Sequence, residues 1–186
     1  MFLCKKTLGI FLLCLLSTFS GAYGYAKLEK PVSLWLLRLA AGGERPVVHV
    51  ADGDTIRVSM RFGKDRSIRL LGIDTPETVD PRRPGGCFGQ EASAKTKEVM
   101  SGKSVRLEFD DSADTLDDHG RLIAYVWLPD GKMLNRLLID SGYAFEYTYR
   151  RPYSLQKDFR GAEAVAKVKK VGLWGVCGPN PKRKNP

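Results

Sequence analysis

Histidine is nearly absent from this chain, and the cysteines lack the spacing of a metal site. His49 and His119 are the only imidazoles, and the four cysteines include no CxxC pair. A structural zinc centre needs about four such ligands, so none is expected. The sequence contains no internal repeat and no low-complexity domain, which excludes solenoid and array architectures. Its apolar run over residues 8–16 is shorter than the roughly 20 residues of a comfortable membrane span. Acidic residues are in deficit, 21 against 30 Lys+Arg, for a formal net charge of +9. That excess favours polyanionic partners, nucleic acid first and an anionic membrane surface second; improved solubility alone is the plainer alternative. With 27% charged and 43% hydrophobic residues among 186, the composition is that of one soluble globular domain.

Residues 1–26 hold no acidic residue at all. Lys5 and Lys6 precede the apolar run, and Ser20, Gly21, Ala22, Gly24 and Ala26 follow it. A charged start, a short apolar middle and a small-residue end describe a secretory signal peptide, cleaved after Gly24 or Ala26. The chain is therefore expected to be exported, secreted or periplasmic, and membrane-anchored if the segment is retained. Without Lys5 and Lys6 the remainder still carries about +7. Cys4 and Cys14 would leave with the signal, while Cys87 and Cys177 stay. An even number of cysteines in an oxidising compartment reads as a disulfide. Closing a loop of about 90 residues stabilises by on the order of 4 kcal/mol. Two unpaired thiols are the alternative.

Residues 27–45 form a leader, with a short helix expected over 34–41 and ended by Gly42–Gly43. Strand patterns begin at Pro46 and the domain is expected over 46–176. Ile56, Val58, Met60 and Phe62 alternate with Arg57, Ser59 and Arg61, a period of two with one buried face. A third strand is expected over 68–73, a helix over 89–101, a strand over 105–109, a central strand over 122–128, and helices over 134–141 and 153–171. Residues 80–86 form a basic loop, 110–120 an acidic one, and 177–186 a basic, Pro-containing tail expected to be disordered. Strands and helices segregate, which argues α+β. A small curled antiparallel sheet with flanking helices fits an OB-type barrel.

The strand ends carry charges that a plain surface does not explain. Asp52 and Asp54 share a turn; Asp74, Thr75 and Glu77 follow the third strand; Arg69 lies within that strand and Arg121 opens the central one. Carboxylates are hard oxygen ligands and suit Ca²⁺, which takes about six to eight oxygens. Guanidinium groups pair bidentately with phosphate, and a carboxylate outside the metal shell is placed to take a proton from water. Metal, arginines and base together serve phosphodiester hydrolysis. Taken singly, each motif has a plainer reading: Asp-Gly is a common hairpin turn, and Asp74-Thr75-Pro76-Glu77 suits a cap.

The combination resembles the staphylococcal nuclease (thermonuclease) family over residues 47–175. The resemblance is carried by Val50-Ala51-Asp52-Gly53-Asp54-Thr55 and Ile68-Arg69-Leu70-Leu71-Gly72-Ile73-Asp74-Thr75-Pro76-Glu77-Thr78. Phe88-Gly89-Gln90-Glu91-Ala92, Asp117-Asp118-His119-Gly120-Arg121, Asp130-Gly131-Lys132-Met133-Leu134-Asn135 and Gly172-Leu173-Trp174-Gly175 extend it. It implies a five-stranded OB-type β-barrel with about three helices. It further implies Ca²⁺-dependent cleavage of DNA and RNA to 3′-phosphate and 5′-hydroxyl ends, by a monomer with no stable protein partner.

Carried over by position, Asp54 and Asp74 look like the Ca²⁺ carboxylates, with the Thr75 carbonyl as a further metal oxygen. Glu77 resembles the residue that activates or orients water, and Arg69 and Arg121 resemble the phosphate clamp. Asp52 is read as turn-forming or supporting, and Thr55 as a hydroxyl that holds a carboxylate or a metal-bound water. The family often places a basic residue and a tyrosine before the Gly-Arg pair; here stand Asp118, expected to repel phosphate, and His119, expected to stack or hydrogen-bond. Tyr147 and Tyr149 match family tyrosines that pack on nucleotide, and Arg82 and Arg83 are candidates for flanking phosphates. The rival reading is a non-catalytic OB-type module that binds nucleic acid.

Overall fold

The computed structural model describes residues 29–78, 86–178 and 181. The expected signal, residues 1–26, and most of the expected tail lie outside them. The chain divides into two compact units, residues 1–35 and 36–186. Of the first, the described part is the opening of helix α1 (Glu29–Ala40). Among the described residues no helix is long and apolar enough to cross a membrane.

The second unit is built on strands β1 (Glu44–Val50), β2 (Thr55–Val58), β3 (Arg66–Leu70), β5 (Ser104–Glu108) and β6 (Leu122–Trp127), which close into a barrel in the order β1-β2-β3-β6-β5. Closure depends on β1 serving two partners. Its first half pairs with β5 and its second half with β2, and the β1–β2 register shifts between Val47 and His49. Such an irregularity bends a strand and increases its twist, which lets a short sheet curl onto itself. The sheet is not purely antiparallel as the patterning suggested: β3 and β6 run parallel. Periodicity reports which face is buried, but direction is set by the crossover that joins β3 to β6, which patterning does not encode.

Ile56, Val58, Ile68, Leu70, Leu122, Ala124 and Val126 fill the barrel. Each large aliphatic side chain so buried contributes about 1.5–3 kcal/mol relative to exposure. Strand β6 is buried along nearly its whole length, as expected of a central strand apolar on both faces. Helices α2 (Gly89–Met100), α3 (Leu134–Asp140) and α4 (Gln156–Lys169) flank the barrel, and α5 (Leu173–Val176) adds one turn at the end. Strand β2 is shorter than the alternation suggested. After Val58 the backbone leaves the ladder, with the Ser59 and Arg61 N–H groups donating to the Pro46 and Ala40 carbonyls. Asn135, wholly buried on α3, accepts from the Val126 N–H (2.9 Å) and donates to the Leu71 carbonyl (2.8 Å). It thereby fastens α3 to β6 and to the end of β3.

A small second sheet pairs β4 (Ile73–Asp74) with β7 (Phe145–Glu146). Behind it Phe145, Ala166, Leu173 and Trp174 form a separate apolar cluster against which Phe88 and Cys177 pack. Cys87 and Cys177 are joined by a disulfide spanning a sequence separation of 90. It ties the approach to α2 to the end of α5. Removing the bond by Cys177→Ser is expected to lower the melting midpoint by about 10 °C, from a closure term of about 2–4 kcal/mol. A circular-dichroism melt checks this; a midpoint insensitive to both the substitution and a reductant would deny the bond a stabilising role.

Candidate active site

The local chain path explains how distant acids meet. The Asp52 carboxylate accepts from the Asp54 N–H at 3.1 Å, forming the side-chain-to-backbone turn typical of such positions. From α2, the Thr96 hydroxyl donates to the Gly53 carbonyl at 2.8 Å and pins the same turn from behind. This leaves Asp54 with no exposed surface. Its Oδ1 accepts from the Thr55 hydroxyl (3.0 Å), and its Oδ2 accepts from both the N–H (3.0 Å) and the hydroxyl (3.2 Å) of Thr75.

Arg69 and Asp74 are five residues apart and would face opposite ways on one regular strand. The strand does not continue. Strand β3 ends at Leu70, and Gly72, at φ +78°, turns the chain into β4. A side chain at Gly72 would meet the Tyr153 ring at 2.7 Å, so glycine meets both the conformational and the packing demand. The turn wraps around the Arg69 guanidinium. Nη1 donates to the Leu70 (3.2 Å) and Ile73 (2.7 Å) carbonyls, while Nη2 donates to Asp74 Oδ1 at 2.9 Å and lies 3.2 Å from Asp54 Oδ2. One nitrogen therefore serves two carboxylates, both with 0% exposure. Buried charge of this kind is characteristically paired or metal-bound.

Among the described residues no group of three or more His, Cys, Asp and Glu side chains gathers as a metal cage. The donors available are two carboxylates, with Thr75 beside them, a hard oxygen set that excludes soft transition metals as the natural fit. Glu77 is half-buried two residues farther on. Its carbonyl accepts from the Gly86 N–H at 2.9 Å. A Cβ on Gly89 would lie 2.2 Å from that carbonyl oxygen, so only glycine lets α2 begin directly against Glu77. Arg82 and Arg83 lie outside the described residues.

Arg69 also borders a cavity of about 150 Å³ lined by Arg121, Asp117, Asp118, His119, Tyr147 and Tyr149, together with the Gly72 turn. Asp54, Asp74, Thr75 and Glu77 are not on its wall; Arg69 joins the two halves of the site. Arg121 is held by Asp117, whose Oδ2 accepts from Nε at 2.6 Å and whose Oδ1 accepts from the Arg121 N–H at 2.9 Å. Its Nη1 reaches the Thr55 hydroxyl at 3.3 Å. The Tyr147 N–H donates to the Gly72 carbonyl at 3.0 Å, so that tyrosine is anchored to the turn beside Arg69. His119 is exposed at the cavity rim, its N–H donating to Asp117.

Asp118 does not present a bare charge to an incoming phosphate. It accepts from the Tyr149 hydroxyl at 2.6 Å and from Arg150. The Tyr149 hydroxyl and Arg150 hold its carboxyl below the usual aspartate value, and the same hydrogen bond pushes the Tyr149 phenol up. Sequence reasoning assigned no role to Thr96, Gly89 or Asp117. Each acts by holding another residue, which leaves no local signature.

A family model described as "Staphylococcal nuclease homologue" matches residues 67–176. The thermonuclease of Staphylococcus hyicus is 42% identical over 129 residues, covering 69% of this chain and 73% of that protein. The thermonuclease of Staphylococcus intermedius is 38% identical over 128 residues, covering 69% and 74%. Endonuclease YncB of Bacillus subtilis (strain 168) is 38% identical over 128 residues, covering 68% of this chain and 59% of that protein. The chain belongs to the staphylococcal nuclease homologue family.

Arg69→Ala removes the guanidinium that the two desolvated carboxylates share. It is expected to cost about 3–5 kcal/mol in urea unfolding, the range for breaking a buried charge pair from one side. A loss below about 1 kcal/mol, the range of exposed pairs, would mean that Arg69 does not balance the two acids.

Proposed function

We propose that this chain, as a member of that family, is an exported nuclease. It hydrolyses phosphodiester bonds of DNA and RNA with little sugar specificity, requires Ca²⁺, and leaves 3′-phosphate and 5′-hydroxyl ends. The observation that carries the reading is the convergence of Asp54 and Asp74 on the Arg69 guanidinium, next to a cavity that also displays Arg121. A core without chemistry to perform gains little from two buried acids and one cation, since well-packed apolar residues are often as stabilising.

The hard donor set fits the metal: Asp54, Asp74 and the Thr75 carbonyl would hold it, with water completing about six to eight oxygens. When bound, Ca²⁺ supplies positive charge that polarises the phosphoryl oxygens. Glu77 takes a proton from the attacking water. The water oxygen bonds to phosphorus as the bond from phosphorus to the 5′ oxygen breaks, and that oxygen leaves with a proton drawn from solvent. Arg69 and Arg121 bind the phosphate and stabilise the charge that builds on its oxygens. Both are already oriented by carboxylates, Arg69 by the paired aspartates and Arg121 by Asp117, so little reorganisation falls in the reaction step. Recognition through phosphate contacts carries no sequence information, which suits a sugar- and sequence-tolerant enzyme acting as a monomer. The segment over residues 1–26 and the Cys87–Cys177 bond support export to an oxidising compartment.

The test is cleavage of single-stranded DNA by the purified protein with Ca²⁺ and again with EGTA. Ca²⁺-dependent cleavage is expected, and Glu77→Gln should lower kcat by about 10²–10⁴ with Ca²⁺ binding retained. Salt-sensitive binding without cleavage by the unaltered protein would instead favour the non-catalytic OB-type module. Asp54→Asn removes a ligand charge and should move the Ca²⁺ midpoint of activity to higher concentration; an unmoved midpoint would reject Asp54 as a ligand.

A further inference from the structure

The rim of the cavity is assembled from two loops that meet through aspartates. The 110–121 loop supplies Asp110, Asp114 and Asp118; the segment from Tyr149 to Ser154 supplies the donors. Asp118 accepts from Tyr149 and Arg150, Asp114 accepts from Arg151 at 2.5 Å, and Asp110 accepts from the Ser154 N–H (2.7 Å) and hydroxyl (3.0 Å). Only Asp118 of these three lines the cavity, together with the tyrosine that it holds.

The backbone between the two donors is bent to suit that contact. Arg150 has φ +51°, a left-handed conformation uncommon for a long side chain, and the Arg151 N–H closes a tight turn onto the Tyr149 carbonyl. The turn folds the Arg150 guanidinium back over the Tyr149 ring, 5.1 Å from its centroid. One carboxylate thus receives a phenol hydroxyl and a guanidinium that are stacked on each other. Asp117 faces the other way and holds Arg121, so neighbouring acids on the same loop organise the two sides of the cavity.

We propose that Asp118 is a positioning residue for nucleic-acid binding: its carboxylate clasps Tyr149 and Arg150 so that the phenol ring stands as a fixed wall of the cavity. The acidic side chain then strengthens substrate binding instead of weakening it. The charge that would repel a phosphate is answered by Arg150, and the ring that meets the nucleotide is ordered before the nucleotide arrives. Side chains ordered in advance spare the complex the cost of immobilising them. The proposal rests on the nuclease reading for its substrate, and one arm of its test is independent of turnover.

The experiment measures KM and kcat on a fluorescent single-stranded oligonucleotide with Ca²⁺, and the affinity for the same oligonucleotide by anisotropy in EDTA. It uses Asp118→Ala, Asp118→Asn, Tyr149→Phe and the Asp118→Ala/Tyr149→Phe double variant. Asp118→Ala is expected to raise KM and weaken EDTA-phase binding by about three- to tenfold, with a much smaller change in kcat. Asp118→Asn, whose amide oxygen still accepts, should recover most of the affinity. The double variant should bind no more weakly than Asp118→Ala, because the two residues share one contact. Tighter binding by Asp118→Ala, or additive losses in the double variant, would overturn the proposal. Absence of cleavage by the unaltered protein would sink the nuclease reading while leaving the anisotropy comparison to decide on the clasp.

Discussion

Two carboxylates without solvent exposure meet on a single guanidinium nitrogen, and the rest of the site is arranged to make that meeting tolerable. Asp54 comes from a turn between β1 and β2, Arg69 from β3, and Asp74 from the two-residue strand after the Gly72 turn. Burying charge is repaid only where the pairing geometry is good, so each of these segments must be held firmly. Thr96 pins the first turn from α2, Thr75 supplies two hydrogen bonds to Asp54, and the Leu70 and Ile73 carbonyls grip Arg69. The barrel is the frame that brings the three segments to one edge.

The same economy of charge extends outward to the cavity. Arg121 rests on Asp117, Arg150 on Asp118 and Arg151 on Asp114. The Arg150 and Arg151 pairs are exposed, and such pairs add little stability individually. Their effect is on geometry: they decide where the cations and the Tyr149 ring stand before a substrate arrives. The acidic loop over residues 110–120 is therefore a mounting for basic and aromatic groups, and its composition taken alone misstates its role.

Strand alternation and apolar runs made the barrel strands legible, because the side-chain period of two is imposed by the pleat wherever one face is buried. Helices α2, α3 and α4 were legible for the corresponding reason, with Ala162 and Ala166 following Phe159 along one face of α4. The β4–β7 pair and α5 were not, since two- and four-residue elements carry no periodic signal. The parallel pairing of β3 with β6 was also hidden, as direction is a property of the crossover and not of either strand. Arg69 and Asp74 posed a contradiction on paper that Gly72 resolves in space by turning the strand between them. Asp118 shows the limit most clearly. Its own charge, where the family often has a basic residue, makes it look repulsive, whereas its partners Tyr149 and Arg150 are more than 30 residues away.

By itself the sequence determined the kinds of chemistry available: hard oxygen donors, guanidinium groups, one further carboxylate, a basic balance, and a motif order that identifies the family. Residue type and local spacing carry that information because ligand hardness, charge and strand periodicity are local properties. The tertiary structure decided which of those residues act together. It placed Asp54 and Asp74 on one nitrogen, gave Arg121 to Asp117, and turned Asp118 towards Tyr149 and Arg150. These outcomes depend on distances between chain segments that only barrel closure and loop packing set.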